Sequence, residues 1–248
     1  DTEVFKGDRV IADGVERELG DVTIDVVAGG LVSSTDPFGD GSLIYKNLLE
    51  SDASTTSPIV GTAGTPTAVT YTTGNGGQFG EAGIFNGSTS RITFPSISAP
   101  KTLSGFFTFS SIKTSCLFGN GSGLYLSTIS SLTGINYQDA SSNKGSWSFT
   151  FTVGISYHIC FIDTGTSIDL YIDGVFIAYT GAYATLPAVS EIGRYLGQYD
   201  YFHGEIDQVE IYNKVLSQTE VTTLYTQTST KYSADFNTPL ASIPTSVY

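Results

Sequence analysis

The fold of this chain is decided by residues 157–177, YHICFIDTGTSIDLYIDGVFI, and by residues 204–225, GEIDQVEIYNKVLSQTEVTTLY. The first stretch alternates apolar and polar residues on both sides of a short polar turn. Asp173-Gly174 then reverses the chain again, so the pattern predicts consecutive antiparallel strands. We interpret Asp173 as a turn residue, because aspartate tolerates the backbone angles of a tight turn. The second stretch predicts one more strand followed by a helix.

A single helix is predicted at the end of this region. Ser217 and Glu220 have the spacing of a capping box, in which each side chain bonds the backbone N–H of the other residue. Leu216 and Val221 flank the box at the positions of a hydrophobic staple. The pattern therefore predicts a helix that begins after Ser217 and ends near Gln227.

The remainder of the chain has the pattern of many short strands. Apolar and polar residues alternate between glycine-rich turns, and Tyr and Phe number 15 each. This composition favours strands over helices, and short strands at regular spacing are typical of a β-sandwich or a β-barrel. The predicted strands are residues 43–49, 68–74, 83–94, 103–112, 115–119, 123–129, 134–139 and 146–153.

The two ends of the chain differ from its middle. Asp13-Gly14 is a strong signal for a two-residue hairpin turn, and a further strand is predicted at residues 22–26. We therefore expect an N-terminal β arm with a linker at residues 1–41. So short an arm cannot bury a core of its own and must pack on the main domain or on a partner. We expect the main domain at residues 42–228 and a tail without clear periodicity at residues 229–248.

Charge and cysteine content exclude some classes of protein. The net charge is −13 and the basic residues are scattered, so nucleic acid is not an expected partner. The excess of carboxylates suits Ca²⁺, or simply solubility in an extracellular medium. No apolar run approaches the roughly 20 residues that span a membrane. Cys116 and Cys160 are too few for a disulfide framework; we expect buried free thiols, with a bridge between them as the alternative.

The two stretches quoted above resemble the laminin G-like, concanavalin A-type jelly-roll domain of extracellular proteins and of many phage structural proteins. The resemblance rests on Tyr157 to Cys160, Leu170 to Gly174, Gly204 to Asn213 and Leu216 to Glu220, with Gly83 to Ile92 upstream. It implies an all-β fold, a two-sheet antiparallel jelly-roll sandwich with one short C-terminal helix. Residues 36–44 resemble the lead-in of phage virion proteins that carry this domain, which implies a non-enzymatic recognition or structural role on a virion.

Glu205, Asp207 and Glu210 have the E-x-D-x-x-E spacing of β-glucanases, in which one Glu is the nucleophile and the other the acid/base. If the apolar residues between them are all buried, a bulge at Asp207–Gln208 is required, and it turns the three carboxylates to one face. The motif nevertheless lies on the last strand before the helix, whereas a glucanase has it in mid-chain. Sugar subsites also use aromatic platforms, and Trp147 is the sole tryptophan. We therefore expect no catalysis and keep a glycoside hydrolase as an alternative.

The resemblance also implies a structural Ca²⁺ at Asp207, shared with backbone carbonyls and a residue from the first strand region. Asp52 is the candidate for that residue. Calcium takes about six to eight oxygen ligands, which two carboxylates and several carbonyls could supply. The alternative is an aspartate that caps the bulge.

The loop at residues 194–203, RYLGQYDYFH, is dense in aromatic residues. Tyr195, Tyr199, Tyr201 and His203 are the candidate ligand-binding residues, because exposed tyrosines often mark binding surfaces. A packed strand connection is the alternative. We therefore expect a virion surface protein, a head decoration, fibre or tail component, that binds a cell-surface glycan, other virion proteins or copies of itself. The second hypothesis is a secreted bacterial carbohydrate-binding or adhesin module.

Overall fold

The computed structural model describes residues 36–73, 76–120, 125–129, 131–138, 143–181, 185–195 and 200–229, and the backbone of five strands within residues 2–31. Its helices are α1 (Asp52–Thr56) and α2 (Gln218–Ser229). In chain order its strands are β1 (Thr2–Phe5), β2 (Arg9–Ala12), β3 (Val15–Glu18), β4 (Val22–Val27), β5 (Gly30–Leu31), β6 (Leu43–Asn47), β7 (Thr65–Thr67), β8 (Thr70–Tyr71), β9 (Gly83–Asn86), β10 (Arg91–Ile97), β11 (Thr102–Phe109), β12 (Cys116–Gly119), β13 (Tyr125–Thr128), β14 (Gly134–Gln138), β15 (Asn143–Ser148), β16 (Ser156–Asp163), β17 (Ile168–Ile172), β18 (Val175–Ile177), β19 (Tyr179–Gly181), β20 (Val189–Ile192) and β21 (His203–Tyr212).

Two antiparallel sheets form the main body. Sheet I has the strand order β18-β17-β16-β11-β21-β9-β8, and β6 also pairs with β21. Sheet II has the order β19-β15-β14-β13-β12-β20-β10-β7. Strands that are neighbours in a sheet are often distant in sequence, as in a jelly roll. The predicted all-β, two-sheet jelly-roll sandwich is confirmed.

The core lies between the two sheets and is rich in aromatic rings. Phe107 of sheet I meets Phe118 of sheet II edge-on, with 5.7 Å between ring centroids. Phe161 meets Trp147 in the same way at 5.5 Å. All four side chains are fully buried. The sole tryptophan of the chain therefore packs in the core, where it offers no platform for a sugar.

The outer face of sheet I is covered by helix α2. Leu216, Val221 and Leu224 pack on Cys160 and Tyr212 in a second apolar cluster outside the sandwich. Side chains on this outer face therefore become buried although they point away from the core. No helix in the described parts of the chain is long and apolar enough to cross a membrane.

Helix α2 begins where the capping box predicts. The backbone N–H and the hydroxyl of Ser217 both donate to Glu220 Oε2, at 2.8 and 2.9 Å, and the Glu220 N–H donates to Ser217 Oγ at 3.3 Å. Leu216 and Val221, which flank the box, are both buried. The helix ends at Ser229, slightly beyond the predicted end.

Helix α1 and strand β7 lie in the polar insertion after β6, where no element was predicted. Ser51 and Ser54 close a capping box on α1: the Ser54 N–H donates to Ser51 Oγ at 3.1 Å and the Ser51 N–H to Ser54 Oγ at 2.9 Å. Both elements are short and polar. They carry no apolar periodicity that sequence reasoning could detect.

The strands of the N-terminal arm pair among themselves. β2 pairs with β3, and β4 pairs with β1 and β5. Ala12 lies opposite Val15, as the predicted hairpin requires, and β4 confirms the strand predicted at residues 22–26. The turn residues Asp13-Gly14 and the tail beyond residue 229 lie outside the described residues.

Cys116 and Cys160 are both free and buried. Burial raises the pKa of both thiols, so neither is poised to react. The expectation of buried free thiols is confirmed, and the alternative of a bridge between them is wrong.

Candidate functional site

A β-bulge in β21 sets the direction of its acidic side chains. Asp207 lies opposite Phe106 of β11 and Glu210 lies opposite Ser104, so β21 has one residue more than its partner between these pairs. Gln208, at this point, has a φ of +50°. The bulge predicted at Asp207–Gln208 is confirmed.

The register places Glu205, Asp207 and Glu210 on the outer face of sheet I, as predicted. Residues that are paired across antiparallel strands point to the same side, and the three partners on β11 are alternate residues. Their exposure differs, however. Glu205 is half-buried, whereas Asp207 is 2% and Glu210 3% exposed. The spacing brings the carboxylates to one face but not into one open cleft.

Glu210 is held in a buried ion pair. Lys46 Nζ of the neighbouring strand β6 lies 2.8 Å from Glu210 Oε1. The Tyr212 hydroxyl donates to Glu210 Oε2 at 2.6 Å. Burial, together with the charge of Glu210, raises the pKa of Tyr212, so its hydroxyl remains a donor. Each carboxylate oxygen of Glu210 therefore already has a protein partner.

Asp207 lies beneath a loop at residues 76–82, which we call the 76–82 loop. The backbone N–H of Phe79 donates to Asp207 Oδ2 at 2.8 Å. The Phe79 ring rests edge-on against Phe106, with 5.4 Å between centroids, so one loop residue covers both the carboxylate and its strand partner. Asp207 Oδ1 has no hydrogen-bond partner among the described residues.

Two further carboxylates, Glu50 and Glu81, lie near Asp207. Burial, and then the charge of Glu81, raises the pKa of Glu50 to about 7. Burial raises the pKa of Asp207 as well; the Phe79 N–H opposes this shift and the charge of Glu50 adds to it. Neither Glu50 nor Asp207 forms an ion pair with any described residue. Glu50 and Asp207 therefore lie close together without a counterion among the described residues.

These residues fit an oxygen-ligated cation such as Ca²⁺. Asp207 Oδ1 is a buried acceptor without a partner, and a like-charged carboxylate lies beside it, so a cation would lower the cost of both charges. Within the described parts of the chain no three His, Cys, Asp or Glu side chains are arranged as a metal site. An ion here would need backbone carbonyls in addition to the side chains.

Asp52, the predicted partner of Asp207, lies elsewhere. It is the first residue of α1 and is exposed, and its carboxylate acts on the hydroxyl of Tyr71. It is not among the charges that act on Asp207; that charge belongs to Glu50, two residues earlier. Sequence reasoning missed Glu50 because nothing in the local sequence distinguishes it from Asp52 as a candidate ligand.

The described residues of the aromatic loop, 194–195 and 200–203, lie at the end of the sandwich where β21 begins. Phe202 is fully buried against core phenylalanines and anchors residues 200–203. Tyr195, Tyr201 and His203 are half-buried, and His203 Nδ1 lies 2.9 Å from Ser111 Oγ. Three predicted ligand-binding residues thus share one segment, while Tyr199, the fourth, lies outside the described residues.

Charged side chains lie next to Tyr201. Arg194 binds Glu191 through both Nε and a terminal nitrogen, the Nε–Oε2 distance being 3.0 Å. Tyr201 also interacts with this guanidinium. Lys113 and Asp200 interact by charge on the adjoining segment. We call this end, residues 110–115 with 193–195 and 200–203, the rim.

His158 is buried on the outer face and has a structural role. Its Nε2 lies 2.8 Å from Ser104 Oγ, and its ring packs on Phe106 and Tyr225. Burial lowers the pKa of His158 to about 3. The Ser–His contact is therefore buried away from solvent.

Residues 86–222 match the laminin G family model described as the Concanavalin A-like lectin/glucanases superfamily. The match covers more than half of the chain, so the chain belongs to this family. The laminin G-like resemblance is thereby confirmed. A search of curated proteins finds no significant match.

Solved structures with the same fold are distant in sequence. Domain 4 of AbnA, a GH43 extracellular arabinanase from Geobacillus stearothermophilus, is 20% identical with a TM-score of 0.55, over 74% of this chain and 99% of that one. A mutant Trypanosoma rangeli sialidase is 20% identical with a TM-score of 0.54, over 74% of this chain and 32% of that one. Botulinum neurotoxin type C is 13% identical with a TM-score of 0.52, over 75% of this chain and 51% of that one. These likenesses support the fold.

Proposed function

We propose that this chain is a non-enzymatic, lectin-like recognition domain at the surface of a virion. The observation that carries the proposal is that two of the three E-x-D-x-x-E carboxylates, Asp207 and Glu210, are buried and bound by other protein groups. A glycosidase needs two carboxyl groups on either side of an accessible glycosidic bond. Glu210 is instead bound by Lys46 and Tyr212, and Asp207 lies beneath the 76–82 loop. Only Glu205 has access to solvent.

The rim is the proposed binding surface. It combines half-exposed tyrosine rings, which can stack on a sugar, with the half-buried Arg194 guanidinium, which the buried Glu191 orients and which can donate to hydroxyl groups. Ile112, also on the rim, is 70% exposed and adds an apolar contact. Two proteins of the same fold point the same way: the arabinanase domain was solved in complex with arabinotriose, and cell entry of the neurotoxin depends on gangliosides.

The proposed attachment role rests on the N-terminal β arm. The arm strands form sheets of their own, separate from sheets I and II, as expected of an appendage that joins another subunit. The alternative, a secreted bacterial carbohydrate-binding module, has the same rim but no such partner. Cross-linking of residues 1–41 to another chain in an assembled particle supports the virion role, and an arm that contacts no other chain contradicts it.

Glycan binding is tested by a matched pair of variants on a glycan array. Tyr201→Ala removes a rim ring, whereas Phe176→Ala removes an exposed ring on the edge strand β18. We expect Tyr201→Ala to weaken binding at least about tenfold and Phe176→Ala to leave it unchanged. Equal effects of the two variants would contradict the rim as the site.

The absence of catalysis is tested with laminarin and lichenan. We expect neither glucan to be hydrolysed by the wild-type protein. Hydrolysis that disappears in Glu205→Gln would establish the glycoside hydrolase and overturn the proposal.

We also propose a structural Ca²⁺ at Asp207, with carboxylate and main-chain oxygens as ligands. The ion would neutralise buried charge; it takes part in no reaction. Because an ion that binds only the folded state stabilises it, calcium should raise the Tm relative to excess EGTA. An identical Tm in the two conditions would remove this proposal.

A further inference from the structure

We propose that Glu50 is the second carboxylate of the cation site at Asp207, and that the cation fastens the 76–82 loop to sheet I. This inference rests on the calcium binding proposed above. It assigns a ligand in place of Asp52 and gives the ion a role in ordering a surface loop.

The first support is where the two carboxylates come from. Glu210 pairs with Lys46 across β21 and β6, and the Gln208 N–H lies 3.5 Å from the Leu48 carbonyl oxygen. The chain just after β6 therefore runs alongside the bulge, and Glu50 lies two residues beyond Leu48. Asp52 has already turned away into α1.

The second support is the close approach of the 76–82 loop to both carboxylates. A Cβ atom at Gly77 would lie 2.9 Å from Asp207 Oδ2, and one at Gly80 would lie 3.1 Å from Glu50 Oε1. Gly80 also has a φ of +65°, which favours glycine. The loop backbone thus passes close to both acids, so its carbonyl oxygens are candidates for the remaining ligands that a Ca²⁺ needs.

The third support is the unsatisfied chemistry of the pocket. Asp207 is almost fully buried, one of its oxygens has no described hydrogen-bond partner, and Glu50 lies beside it without an ion pair. Buried anions without a counterion are costly. Glu81, on the loop itself, adds a third negative charge next to Glu50. Without a cation the like charges of Glu50 and Asp207 repel each other, and a bound cation would offset that repulsion.

The test compares the full-length wild type with Glu50→Gln and Asp52→Asn. Asp52→Asn is the matched control, because it removes a carboxylate two residues away on an exposed site. Two measurements are made in CaCl₂ and in EGTA: the Tm, and hydrogen exchange of the backbone amides at residues 76–82.

We expect calcium to raise the Tm and to slow amide exchange in the 76–82 loop, both in the wild type and in Asp52→Asn. In Glu50→Gln the apparent calcium affinity should fall by more than about tenfold. In EGTA, Glu50→Gln should melt above the wild type, since one uncompensated buried charge is gone; this also shows that the variant folds.

The possible failures are distinguishable. A wild type indifferent to calcium overturns the calcium proposal and this inference with it. A calcium response that persists in Glu50→Gln, or disappears in Asp52→Asn, overturns the ligand assignment alone. A rise in Tm without slower exchange in the 76–82 loop overturns the fastening of the loop.

Discussion

Asp207 and Glu210 lie three positions apart on one strand, on the same face and equally buried, yet their surroundings are opposite. Glu210 faces Lys46 at 2.8 Å and accepts a hydrogen bond from Tyr212. Asp207 faces Glu50 and a loop that contributes the Phe79 N–H and another carboxylate, Glu81. One segment, residues 46–50, therefore places a positively charged side chain (Lys46) beside Glu210 and a negatively charged one (Glu50) beside Asp207.

The difference shows that burial alone does not define the role of a carboxylate. At Glu210 the fold has provided the counterion, so the pair is complete and serves stability. At Asp207 the fold has gathered like charges, which is stable only if the groups take up protons or a cation is bound. A catalytic array would require both acids to face a substrate, whereas Glu210 is bound by Lys46 and Tyr212 and Asp207 lies beneath the 76–82 loop.

Breaking the buried ion pair between Lys46 and Glu210 should have the largest effect on the free energy of unfolding. Lys46→Met leaves a buried carboxylate without its counterion, so we expect the free energy of unfolding to fall by about 3–5 kcal/mol in urea titrations. The double variant Lys46→Met/Glu210→Met should recover more than half of the loss. Lys101→Met is the control: Lys101 is 36% exposed and lies 3.5 Å from Asp163, so it should cost less than about 1 kcal/mol. A loss in Lys46→Met no greater than in Lys101→Met would refute the contrast.

The carboxylates around Asp207 should make the protein more stable as the pH falls, whereas an ordinary salt bridge loses stability on acidification. The pKa of Glu50, which faces Glu81 and Asp207, is raised from 4.5 to about 7 in the folded state. The folded protein therefore takes up a proton first. In EGTA the stability due to this group should rise by about 1–3 kcal/mol as the pH falls from 8 to 4.5.

Glu50→Gln isolates that contribution. His158, with a pKa lowered from 6.5 to about 3, loses stability as the pH falls below 6.5, and it does so equally in both proteins. The difference in unfolding free energy between Glu50→Gln and the wild type should therefore shrink on acidification. A difference that is constant between pH 8 and 5 would contradict a raised pKa at Glu50.

Removing the Phe79 ring, which lies over Asp207, should have a smaller effect on stability. Phe79→Ala removes the ring that packs on Phe106, so we expect a loss of about 1 kcal/mol in unfolding free energy. Water would then reach Asp207, and the pH dependence measured in EGTA should become shallower. An unchanged slope would show that the ring does not shield the carboxylates.

The third acid of the motif should matter least. Glu205 is half-buried on the outer face, and burial raises its pKa. Glu205→Gln should change the unfolding free energy by less than about 0.5 kcal/mol. A larger loss would mean that Glu205 belongs to one of the two buried networks.

Much of the framework was predictable because it depends on local pattern. The hairpin around Asp173-Gly174, the capping box at Ser217 and Glu220, and the bulge at Asp207–Gln208 all follow from residue order and strand periodicity. Short polar elements such as α1 were not predictable, because they carry no periodic signal. The candidate site was predicted only in part: Asp207 could be singled out, but its neighbours could not.

The sequence by itself predicted a jelly-roll sandwich, through its resemblance to laminin G-like domains, and three acidic side chains on one face of its last strand. The second property depends on the alternation of residues along that strand and on one extra residue within it. Only the tertiary structure decided that Lys46 neutralises Glu210 and that Glu50, not Asp52, lies beside Asp207. Such partners come from strands and loops far apart in the chain, and electrostatic energy depends on distance in space and on burial, neither of which sequence spacing encodes.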